Sequence, residues 1–306
     1  MNFELREMDF FTIIDRGLKL FKSNFVPLVI LMAIFFGPFL MAVNYNQYQM
    51  QGSSNFQERL AESLTKSITN EEPMDFESFF DEFFVDNDAR NSIMFLYAFA
   101  LLMLILTPLA YLSCYRVLLA YIKGEKIDLG KIIRFSATRY WILLIADIAF
   151  GIALYFSICL CVGIIFLFPA MAFQAMLPCV VAIEKKDIGG SIKRTFNFLK
   201  GFYWRTFGVY LVIGIIVFLI TLLFSSVGEM IGGLIPGVIG VSFKATVSTL
   251  FSVIFQPLLL CVIFLAYIDI RIRKEGFDLD ILADRALGAV SEETSTPPPA
   301  SDDVWK

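Results

Sequence analysis

The chain has 306 residues, of which 58% are hydrophobic and 18% charged, with a formal net charge of −4 and a mean hydropathy of +0.71. A soluble domain spends about a quarter of its residues on charge, whereas here the apolar residues fall in blocks long enough to cross a bilayer, which excludes the soluble enzyme classes. The absence of histidine also excludes a His-based zinc site or acid–base triad, and no cofactor is expected.

The opening MNFELREMDF holds Glu4, Glu7 and Asp9 beside a single Arg6. It lacks the basic start and small-residue cleavage site of a signal peptide, so the first span is expected to be retained. That span covers residues 25–44, with Pro27 in its first turn and Pro38 inside, where a kink is expected. An outer loop follows over 45–90, with ten acidic residues against three basic. Its DFESFFDEFF stretch (75–84) reads as a short interfacial amphipathic helix. The second span covers about 92–119.

From 140 to 183 the chain carries one charged side chain, Asp147, in 44 residues. A single helix of that length would measure about 66 Å, twice the bilayer core, so the chain must turn. Spans at 141–162 and 165–183 result, with Gly163 and Pro169 as breakpoints. The fifth span is 206–226 and the sixth 248–268. Between them, the glycines from Gly228 to Gly240 predict an outer turn or re-entrant segment, with close packing at Gly233 and Gly237. Residues 1–285 read as one transmembrane domain, and 286–306, rich in Pro, Ser and acid, as a disordered tail. The five cysteines, Cys114, Cys159, Cys161, Cys179 and Cys261, lie in or beside apolar runs and read as small buried hydrophobes.

Basic residues fix the expected orientation. The N-terminus, 115–140, 184–206 and the C-terminus hold four, six, six and five Lys/Arg, leaving three in the first outer loop and Lys244 in the last. This asymmetry places both ends in the cytoplasm, on an even number of spans. The basic segments also look alike. DFFTIIDRGLKLFKSN (9–24), LGKIIRFSATRY (129–140) and GSIKRTFNFLKGFYWR (190–205) each interleave apolar and basic residues before an apolar run. The hairpin ends LLAYIKGEKIDLG (118–130) and FLAYIDIRIRKEGFDLD (264–280) match as well. The expected fold is therefore an all-α transmembrane bundle of six spans in three hairpins, each preceded by an interfacial amphipathic helix.

Two polar motifs carry a family resemblance. Pro178 lies in a span that ends at Glu184, followed by Arg-x-aromatic-x-aromatic-Leu-x-Gly from Arg194 to Gly201. The last span ends in Tyr267, Asp269, Arg271, Arg273 and Gly276 at fixed spacing. Over about residues 9–285 the chain resembles the bacterial membrane domain fused to some glycerophosphodiester phosphodiesterases and found alone in six-span proteins. The resemblance implies a fold and the bacterial inner membrane, but no activity. The catalytic domain and the histidines it needs are not in this sequence. The loop at 45–90 looks like an insertion on that plan.

Five residues stand out as functional candidates: Asp147, Arg194, Asp269, Arg271 and Arg273. Asp147 is the one carboxylate inside a predicted span. It suits proton or cation coupling, but a tolerated polar residue near the cytoplasmic edge is the preferred reading. The basic segments, Lys123, Lys126, Lys131, Arg134, Arg139, Lys185, Lys186, Lys193, Arg194, Lys200 and Arg205 among them, suit anionic lipid head groups. Helical spacing pairs Asp269 with Arg273 and Arg271 with Glu275, either as a packed collar or as a docking point for a protein partner. No stacking platform accompanies the charge, so nucleic acid is not expected. The favoured function is a non-enzymatic membrane organiser or the membrane component of an assembly. The alternative is a transporter of a small solute or lipid.

Overall fold

The computed structural model describes residues 7–52, 87–159, 163–184, 186–276 and 279. The DFESFFDEFF stretch, the tail at 286–306 and Cys161 lie outside them. Eight helices make up the described residues, in the order α1 (Phe10–Ser23), α2 (Phe25–Gly52), α3 (Asn87–Lys123), α4 (Leu129–Cys159), α5 (Gly163–Glu184), α6 (Ile188–Leu199), α7 (Tyr203–Gly233) and α8 (Gly237–Glu275). Five contain stretches long and apolar enough to cross a membrane: Phe25–Ala42, Leu101–Lys123, Leu129–Ala153, Tyr203–Gly233 and Ile239–Glu275. A shorter apolar stretch, Ala170–Glu184, lies in α5. The protein is thus a multi-pass helical membrane protein.

Backbone satisfaction explains why helices persist through unfavourable residues. Pro38, Pro108 and Pro257 all lie inside helices, which a bilayer tolerates because the alternative is unsatisfied backbone in hydrocarbon. Hydroxyls are handled in the same way. Thr107, Ser113 and Thr221 donate to the carbonyls of Met103, Leu109 and Val217 at 2.7–2.8 Å, so none faces lipid unpaired.

The core forms around α8. Every residue from Cys261 to Ile270 is buried, which makes this helix buried on all sides rather than on one stripe. Helices α1, α2, α3, α5 and α7 pack against it. Tyr115 of α3 stacks on Phe264 of α8 at 6.3 Å between ring centroids. Gly17 lets α1 approach, since a Cβ there would lie 2.4 Å from Val262 Cγ2. Helix α7 is the opposite case: Phe218, Leu219, Leu222 and Leu223 are exposed, as suits a face against lipid.

Two features differ from the sequence reading. The segment 129–140 is the first part of α4 and runs into the span without a break. Its counterparts end at real interruptions: α1 at Asn24, whose side chain donates to the Leu20 carbonyl, and α6 at Gly201, with φ 87°. Nothing comparable separates Arg139 from Trp141. The glycine-rich stretch is also mostly helical, with a turn only between Gly233 and Gly237. Close contact falls at Gly228, Gly232 and Gly240, whereas Gly233 and Gly237 have nothing within 4 Å of a built Cβ. The spacing of four puts Gly228 and Gly232 on one face of α7, against α8.

This packing is testable. A Cβ on Gly240 would lie 2.1 Å from the Ile235 carbonyl oxygen and 2.5 Å from that of Gly232. Backbone cannot rotate away, so Gly240→Ala should cost about 1–3 kcal/mol. The detergent-solubilised variant should unfold at lower temperature, while Gly233→Ala should not.

Candidate functional site

The C-terminal turns of α8 carry two polar clusters on different sides of one helix. The first centres on Asp269, which is 0% exposed. Its carboxylate accepts from Arg273 Nε at 3.1 and 3.2 Å, one helical turn away. It also pairs with Arg205 of α7 at 2.9 Å and accepts the backbone N–H of Met8 at 2.7 Å. Arg273 in turn donates to the Met8 carbonyl at 3.0 Å and pairs with Glu7 at 2.9 Å. Arg205 also donates to the Met8 carbonyl. A buried carboxylate is stable only if paired and fully hydrogen-bonded, and two guanidinium forks plus a backbone donor meet that need. The consequence is mechanical: the strand of chain entering α1 is tied to α7 and α8.

The second cluster centres on Glu184, at the end of α5. It accepts from Arg194 of α6 at 2.8 and 2.9 Å, from the Tyr267 hydroxyl at 3.1 Å, and pairs with Lys186 at 3.0 Å. Arg194 bridges onward to Glu275, which accepts from Arg271 at 3.2 Å. Burial alone would lower the Arg194 pKa, but its bonds to Glu184 and Glu275 more than offset this and leave it raised. Lys274 completes the joint by donating to the carbonyls of Asn197, Phe198 and Lys200 at 2.8–3.0 Å. These include carbonyls at the C-terminus of α6 that have no partner within the helix. Beneath them Phe198 stacks on Tyr267, with centroids 5.0 Å apart.

Four of the five sequence candidates therefore lie in the collar that the two clusters make around the end of α8, Asp269 and Arg273 in the first and Arg194 and Arg271, joined through Glu275, in the second. Asp147 does not; it sits part-buried on α4, with no ion pair among the described residues. The sequence reading paired Glu275 with Arg271 but missed its bond to Arg194, and it missed the central roles of Arg205 and the Met8 backbone. Arg205 was visible only as one basic residue among many, and a backbone acceptor leaves no signal in composition. Among the described residues no group of three or more His, Cys, Asp or Glu is arranged to hold a metal ion. Cys114, Cys179 and Cys261 are free and buried.

The contacts also gather distant basic segments at one end of the bundle. Arg139 donates to the Lys186 carbonyl at 3.3 Å, Arg194 reaches Glu275, and Met8 reaches Asp269. The chain start, the α3–α4 corner, the α5–α6 corner and the end of α8 therefore share that end. No family model, curated protein or solved structure matches the chain.

Proposed function

We propose that the chain is a six-span protein of the bacterial inner membrane with both termini in the cytoplasm. It acts without catalysis, in membrane organisation or as the membrane component of a larger assembly. The observation that carries this reading is the collar, in which Asp269 and Glu184 tie α1, α5, α6, α7 and α8 together at one end. A transporter working by alternating access must open each end in turn. Opening this one means breaking ion pairs to a fully buried carboxylate, at several kcal/mol. A rigid end rich in Lys and Arg suits a platform against an anionic leaflet, where each such residue contributes about 1 kcal/mol. Purification in native lipid discs, followed by mass spectrometry of what remains bound, tests it: reproducible lipid or protein company is expected.

The second reading, transport of a small solute or lipid, has one observation in its favour. Between α2 and α8 lies a cavity of about 300 Å³ lined by Met32, Phe36, Leu40, Ser252, Val253 and Gln256. Polar contacts flank it, Asn44 to Thr249 at 2.8 Å and Gln256 to Tyr111 at 3.1 Å. Asp147 decides between the readings. If it couples transport, Asp147→Asn abolishes function in a folded protein, because the amide cannot exchange the proton. On the preferred reading Asp147→Leu is close to silent, since it removes a desolvation cost without breaking an ion pair. Complementation of a strain lacking the protein, at matched membrane abundance, is the measurement.

A further inference from the structure

The cavity between α2 and α8 has a divided lining. On α2, Met32, Phe36 and Leu40 follow one another at a spacing of four and form an apolar stripe. On α8, Ser252, Val253 and Gln256 fall within little more than one turn and bring polar atoms to the opposite wall. Gln256 gives one amide N–H to the Tyr111 hydroxyl at 3.1 Å, and its other amide atoms make no hydrogen bond among the described residues. Ser252 donates to the Ser248 carbonyl at 2.9 Å, which leaves its oxygen able to accept. Pro257 lies inside α8 and has no N–H to offer the Val253 carbonyl four residues earlier. One turn of helix thus holds a half-used amide and two acceptors with spare capacity. Hydrocarbon offers such groups no partner, and leaving them unpaired there is costly. We propose that the cavity binds a long-chain alcohol dissolved in the bilayer, its hydroxyl on the Gln256, Ser252 and Val253 turn and its chain along Met32, Phe36 and Leu40.

Size, lining and depth select that ligand. A volume of about 300 Å³ is at the lower end of small-molecule sites, which are mostly apolar with a few placed polar groups. About ten waters would fill it, each needing two or more polar partners, and the stripe on α2 supplies none. An alkyl chain alone fills the space but leaves the α8 wall unpaired. A ketone or ester only accepts, whereas this wall is richer in acceptors than in donors. A hydroxyl donates and accepts, so it pairs with either end of the Gln256 amide. Gln256 lies thirteen residues before Asp269, about 20 Å along α8 from the collar and well inside a core about 30 Å thick. Away from the collar, the Asn44–Thr249 bond at 2.8 Å ties α2 to α8. Toward the collar, Leu28, Leu31 and Leu258 are buried. Phe36, Leu40, Ser252 and Gln256 are only part-buried, so the cavity opens sideways and its ligand enters from hydrocarbon. The site needs neither end of the bundle to open, and it is independent of which end faces the cytoplasm.

Photolabelling of the full chain in phosphatidylcholine discs tests the site. The probe is hexadecanol carrying a diazirine in its chain, and labelled residues are located by mass spectrometry. Label is expected to concentrate on residues 32–40 of α2 and 252–256 of α8. Unlabelled hexadecanol should compete about tenfold better than its methyl ether, which has lost the donor. Gln256→Leu should bring the two competitors within about twofold of each other. Leu40→Trp, which fills the cavity from its open edge, should remove the label from both helices. If Gln256→Leu does not fold, the wild-type comparison of alcohol with ether and the Leu40→Trp variant carry the test. Equal competition by alcohol and ether in wild type overturns the alcohol assignment in favour of any alkyl chain. Labelling no stronger there than on the lipid-facing Phe218 and Leu222 of α7 overturns the site, as does labelling that survives in folded Leu40→Trp.

Discussion

Replacing Asp269 by alanine is expected to lower stability by about 3 kcal/mol and to release the N-terminal helix. The figure is at the low end of the 3–5 kcal/mol typical of breaking a buried pair. Arg205 and Arg273 keep 28% and 22% of their side-chain surface exposed and so retain some solvent. Three contacts vanish together, because the same carboxylate serves both arginines and the Met8 N–H. What remains is two positive charges facing each other across an apolar gap. Asp269→Asn should lose most of the same stability, since an amide cannot satisfy two guanidiniums. The release can be read directly. Ile13 is buried against the core in the intact protein, so a cysteine placed there should resist a thiol reagent in wild type and react rapidly in the variant.

Arg194→Met should be the next most damaging change, at about 2–3 kcal/mol, within the range for truncating one partner of a buried charge pair. It strands Glu184, whose side chain is 7% exposed, and leaves Glu275 with Arg271 alone. Lys186 and the Tyr267 hydroxyl still serve Glu184, so the loss is smaller than at Asp269. Changing both partners should cost less than the sum of the single changes. Glu184→Gln combined with Arg194→Met removes the stranded charge, and a double-mutant cycle on the thermal midpoint should show the coupling. Strict additivity would mean that α6 is held by Phe198 and Lys274 instead.

Much of the bundle was legible in the sequence because a bilayer imposes one rule on every residue of a span. Long apolar runs, few charges and backbone groups that must pair with themselves leave little besides helices. The pairing of Asp269 with Arg273 and of Arg271 with Glu275 was legible too, since helical spacing alone brings them together. What spacing does not encode is partnership across 197 or 261 residues of chain, as between Arg205 or Asp269 and Met8. Glycine misled in a different way. Gly228, Gly232 and Gly240 looked like helix breakers, but in a membrane a helix gives up little by holding glycine and gains close approach to its neighbour. The continuity of α4 was missed because the basic pattern of 129–140 resembles that of α1 and α6. The interrupting Asn24 and Gly201 have no counterpart there.

The central claim is that four basic segments share one end of the bundle and that this end faces the cytoplasm. Single cysteines in a cysteine-free background, probed with a membrane-impermeant maleimide on intact cells, test it most directly. Leu234, at the tip of the α7–α8 turn and 82% exposed, should label from outside once replaced by cysteine. Cysteines at Lys126 and Lys186 should label only after the membrane is opened. Labelling of Lys186→Cys in intact cells, with Leu234→Cys protected, would contradict the orientation. Labelling of Lys126 and Lys186 from opposite sides would contradict the shared end itself.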